Sequence, residues 1–103
     1  MATLARDALT EELIQAASPS TTQTITTSGS SAATSNAVAT STRLVRIVAT
    51  EDVHIAFATA PTATTSNPFL PAKQVEYFKI TGGEKVAAIQ NSTAGVVYVT
   101  EMV

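Results

Sequence analysis

The residues able to do chemistry are few, and they do not converge. His54 is the sole histidine of the chain, which has no cysteine. A hydrolytic triad needs a nucleophile and an orienting acid around its histidine, and a zinc site needs several nitrogen or sulfur ligands. Glu51 and Asp52 stand near His54 in sequence and would offer only a weak metal site. The alternation around His54 reads instead as an outward or interface histidine on a strand, a possible pH-sensitive contact. Glu76 and Glu84 would act as an acid–base pair only inside a pocket, for which so short a domain leaves little room. Gly82-Gly83 lacks the Lys-Ser/Thr that completes a phosphate loop. Asn91-Ser92-Thr93 matches the glycosylation pattern, but lies where a turn between two strands wants asparagine. No catalytic, metal-binding or cofactor-binding residue is assigned, and the chain is not expected to be an enzyme.

The elements that would position such residues follow from the chain's uneven composition. Between Glu12 and Arg43 there is no charge, and from Ser18 to Thr42 fifteen of twenty-five residues are Ser or Thr. Residues 1–42 hold Arg6 against Asp7, Glu11 and Glu12, whereas residues 43–103 hold five basic and five acidic residues. A neutral, sparsely charged body does not attract a phosphate backbone, and there is no polybasic patch for an anionic membrane. Arg6, Asp7, Glu11 and Glu12 interrupt the apolar run a signal peptide needs, and no stretch is long enough to span a bilayer as a helix. Synthesis in a host cytoplasm without Sec-type export is the expectation.

Residues 43–103 read as all-β. Arg43–Thr50 turns Val45, Ile47 and Ala49 one way and Leu44, Arg46 and Val48 the other. Val53–Thr59 turns Val53, Ile55 and Phe57 inward, with His54, Ala56 and Ala58 opposite. A Pro-containing loop spans 60–73, with Phe69 and Leu70 expected to tuck beneath it. Strands are predicted over Gln74–Thr81, Lys85–Asn91 and Val96–Val103, separated by the Gly82-Gly83 turn and by Ser92–Gly95. Five strands with short connections predict a small antiparallel β-sandwich or barrel. A domain of about 60 residues buries only roughly 60% of its unfolded surface. Several of these strands are apolar on both faces, so both sheet faces must be covered. The cover is either the N-terminal segment or a neighbouring subunit.

Residues 1–42 read as a long extended arm. Residues 7–17 suit a short helix: Asp7 as N-cap, acids in the first turn, apolar residues on one side and Pro19 beyond its end. The Ser/Thr/Ala tract that follows is either a linker or a strand added to a partner chain. Leu9, Leu13, Ile14, Ile25 and Val38 are its candidate anchors on that partner. Deleting 1–42 is then expected to leave a folded domain.

The segments Val53–Thr59 with Pro61, Phe69–Ala72, Glu76–Gln90 and Val97–Met102 resemble small β-rich virion proteins of tailed bacteriophages. The resemblance covers residues 42–103, about 60% of the chain, and rests on core and turn residues. It implies a structural role on the capsid exterior, as a cement or decoration protein that bridges neighbouring major capsid subunits, often as a homo-trimer. A tail, adaptor or fibre-base component would use the same features. A carbohydrate- or ligand-binding β module is the reading from a different class; it would need exposed aromatics among convergent polar groups, for which the sequence offers Tyr77 and Tyr98.

Overall fold

The computed structural model describes residues 5–6, 13–14 and 17–103. The expected helix over 7–17 lies mostly outside these residues, as does Leu9. Of its span, Leu13–Ile14 (β2) pairs antiparallel with Ala5–Arg6 (β1). Every regular element among the described residues is a strand.

Eight further strands follow: β3 (Pro19–Thr26), β4 (Ala32–Ala33), β5 (Leu44–Ala49), β6 (Val53–Ala58), β7 (Phe69–Leu70), β8 (Glu76–Lys79), β9 (Lys85–Gln90) and β10 (Val96–Met102). They form two four-stranded antiparallel sheets. The front sheet has the order β3-β10-β5-β8 and the back sheet β4-β9-β6-β7. Counted from β3 as the first strand, the orders are 1-8-3-6 and 2-7-4-5, which is the topology of a jelly roll. The expected small antiparallel fold is thus a sandwich.

The core lies between the sheets and follows the two-residue period of the strands. Val45, Ile47 and Ala49 of β5, Val97 and Val99 of β10 and Ile25 of β3 enter from the front. Val53 and Ile55 of β6, Val86 and Ala88 of β9 and Leu70 of β7 meet them from the back. Phe57 and Phe78 meet at 5.4 Å between ring centroids, tilted by 44°. Leu70 tucks under its loop as expected, but Phe69 does not: it is exposed, with its ring edge-on to His54 at 5.5 Å.

From residue 17 onward, the segment expected as an arm belongs to the sandwich. β3 pairs with β10 from Val96↔Thr26 to Met102↔Pro19, with one register shift between Thr100 and Met102. Past β4, Val38 N–H donates to Glu84 O, and Gly83 N–H donates back to Val38 O. Ile25 and Val38, expected to anchor on a partner, are 2% and 4% exposed in this chain's own core. The physical reason is the shortage of surface anticipated from the sequence: the later strands need cover, and the chain supplies it. Residue 42 is therefore not a structural boundary.

Candidate interaction face

The two outer faces of the sandwich differ. On the back sheet the outward positions are His54, Ala56 and Ala58 on β6, Lys85, Ala87 and Ile89 on β9 and the exposed Phe69 on β7, opposite in phase to the core residues. Yet Ala87 is wholly buried and His54 nearly so. The loop over 59–68 folds back over this face. Its Ala63 is buried, and the Ala63 N–H donates to Ser31 Oγ at 2.8 Å. His54 Nδ1 lies 2.8 Å from Asn67 O, and Nε2 lies 3.0 Å from Asn91 Oδ1. The imidazolium makes both bonds at once; the neutral ring needs the Asn91 amide turned so that its NH₂ donates. His54 thus fastens the loop to the sheet.

Two of the acids weighed in the sequence hold backbone amides. Asp52 Oδ1 accepts the Ala72 N–H at 2.7 Å. Glu84 Oε1 accepts the Thr81 N–H at 2.9 Å and closes the Gly82-Gly83 turn. Asn91 is at the turn anticipated for it and serves His54. Among the described residues no group of three or more His, Asp or Glu side chains is placed to hold a metal ion.

On the outer face of the front sheet some side chains are exposed, although Thr100 and Met102 of β10 are buried there. Cross-strand register arranges its outward side chains in rows. One row runs Thr24–Tyr98–Val48, the next Thr22–Thr100–Arg46–Tyr77, and a third Met102–Leu44–Lys79. Tyr77 is 56% exposed and Tyr98 41%. Their backbones are about 12 Å apart, two strand spacings across and two residues along. Val48 and Arg46 of the intervening strand lie between them. Thr22 Oγ1 and Thr100 Oγ1 share a hydrogen bond of 2.9 Å within the second row. The charges in these rows are Arg46 and Lys79, both positive. Tyrosine and arginine around a small apolar centre is the composition of protein-interface hot spots. Flat exposed rings among hydroxyls are also what a sugar stacks on.

Two of the sequence-predicted anchors are placed away from this face, inside the sandwich. Leu13 and Ile14 lie in β2, Ile25 and Val38 in the core, and Leu9 outside the described residues. Tyr77, Tyr98 and Arg46 were not singled out as a group, although a signal for each was present. Each alternates with core residues: Arg46 between Val45 and Ile47, Tyr98 between Val97 and Val99, Tyr77 before the inward Phe78. What the sequence lacks is the strand order that makes them neighbours.

No helix of the described residues is long and apolar enough to cross a membrane. Comparison with family models, with characterised proteins and with solved structures finds no match to this chain.

Proposed function

We propose that this chain is a structural virion protein, a cement or decoration protein that docks through its front-sheet face onto neighbouring major capsid subunits. The observation that carries this reading is the pair of exposed tyrosines on one face: Tyr77 and Tyr98 stand out from the front sheet with the half-buried Arg46 between them, whereas the chain's own loop covers His54 and Ala87 on the back sheet. The resemblance of residues 42–103 to phage virion proteins supports the context. The jelly roll supports it more generally, since it is a common architecture of viral coat domains as well as of lectins and cupins. The test uses capsids assembled without the protein, to which the purified chain is added back. The double variant Tyr77→Ala/Tyr98→Ala, with both substitutions at exposed positions, is expected to keep its fold and lose roughly thirtyfold or more in affinity for the shell. Undiminished binding would remove the face from the interface.

The same tyrosines favour one second reading, a carbohydrate-binding module, because both lie on one face among threonine hydroxyls and an arginine. Binding of the wild-type chain on a glycan array, lost in the same double variant, would favour that reading over shell docking.

A further inference from the structure

The sandwich has four edge strands, and three of them are blunted. β4 and β7 are two residues long, and β8 has four residues that include Glu76 and Lys79. Short strands and charges are the usual means of preventing an edge from pairing with another chain. The fourth edge, β3, is different. It runs for eight residues, Pro-Ser-Thr-Thr-Gln-Thr-Ile-Thr, with no charge and with its one proline at the start.

The hydrogen-bond phase shows which groups of β3 are free. The Thr27 N–H donates to Gly95 O at 2.9 Å, so Thr27 and Gly95 form a hydrogen-bonded pair of the β3–β10 ladder. By alternation Ile25 and Gln23 also direct their N–H and C=O groups at β10. Thr22, Thr24 and Thr26 therefore direct theirs away from it. The other side of β10 agrees: the Thr50 N–H donates to Val96 O, so Val96, Tyr98 and Thr100 serve β5, leaving Val97 and Val99 for β3. Among the described residues, no backbone group of Thr22, Thr24 or Thr26 has a partner beyond β10's own ladder.

We propose that β3 is a strand-addition edge and that its occupant is a second copy of this chain, paired antiparallel about a two-fold axis. A two-fold contact requires a self-complementary surface. A charged edge would set like charges against each other across the axis, and β3 has none. Its outward row of Thr22, Thr24 and Thr26 would face the same row of the second copy, and threonine pairs across antiparallel strands are favourable. The Thr22–Thr100 hydroxyl bond already makes that contact on the occupied side of β3. The axis stands perpendicular to the sheet. It therefore joins two front sheets into one and sets both Tyr77–Tyr98 faces on the same side. The proposal does not depend on what those faces bind.

The test is the solution mass of the full chain over a wide concentration range, by light scattering and sedimentation equilibrium. The wild type is expected to rise to twice the chain mass, with amide exchange at Thr22, Thr24 and Thr26 slowing as the dimer forms. Thr24→Pro removes a free-edge donor and no bond to β10. It is expected to leave the circular dichroism and melting unchanged and to weaken dimerisation at least tenfold. Thr24→Lys, which keeps the backbone donor but sets like charges across the axis, is expected to weaken dimerisation in the same direction. A chain that stays monomeric at every concentration overturns the proposal. So does a dimer or trimer that forms undiminished in both variants.

Discussion

Glu101 shows how one side chain couples distant parts of the chain. It is buried at the inward phase of β10, two residues beyond Val99, where an apolar residue would be expected. Its Oε1 accepts the Ala39 N–H at 2.9 Å and the Thr42 Oγ1–H at 2.6 Å. This ties the crossing over 39–42 to the last strand. Glu101→Ala leaves that amide and that hydroxyl without their acceptor and is expected to cost about 2–3 kcal/mol in denaturant unfolding. Glu101→Gln keeps an acceptor oxygen and is expected to cost less than half as much. The anomaly was legible, since Val97, Val99 and Glu101 share one phase of a strand; its partners, some sixty residues away, were not. Gly82 is similar. The sequence reads it as part of a tight turn, but a Cβ there would stand 2.1 Å from Thr40 O. The glycine is needed because a distant segment crosses it, and no local pattern announces that.

At the scale of elements, five strands were legible because alternation, β-branched runs and turn residues agree over 43–103. β4 and β7 were not, since two residues carry no period. β3 was half legible. Its threonines have strand propensity, but with Ile25 as its only large apolar residue, it reads as a strand for some other chain. Its inward side chain meets this chain's own core, and the Gln23 amide holds the following crossing, donating to Asn36 O at 2.9 Å and accepting the Asn36 N–H at 3.0 Å. A chain that begins at residue 43 therefore lacks two of the sandwich's eight strands, with Ile25 and Val38 of its core, and exposes the whole β3 side of β10. It is expected to show no cooperative thermal transition, whereas the full chain melts in one step. A truncated chain that melts cooperatively near the full-length temperature would restore the boundary at 42 and make the earlier residues a dispensable arm.

At the scale of the whole molecule, the jelly roll covers His54 and Ala87 on one outer face with its own loop and exposes Tyr77 and Tyr98 on the other. The fold alone does not say what the tyrosine face meets. The sequence pointed to assembly by its lack of convergent catalytic groups. The place proposed for assembly lies on β-sheet rather than on an arm, among residues whose adjacency only the strand order reveals. If the proposed β3 pairing holds, two such faces would lie side by side, and a repeated shell surface would bind them with avidity set by their spacing. The most direct measurement of the central claim is the copy number of this protein in purified virions, by quantitative mass spectrometry against the major capsid subunit. A cement protein is expected at a copy number approaching that of the capsid subunit. A few copies per particle, or none, would contradict the account and turn the tyrosine face toward a tail component or a ligand outside the virion.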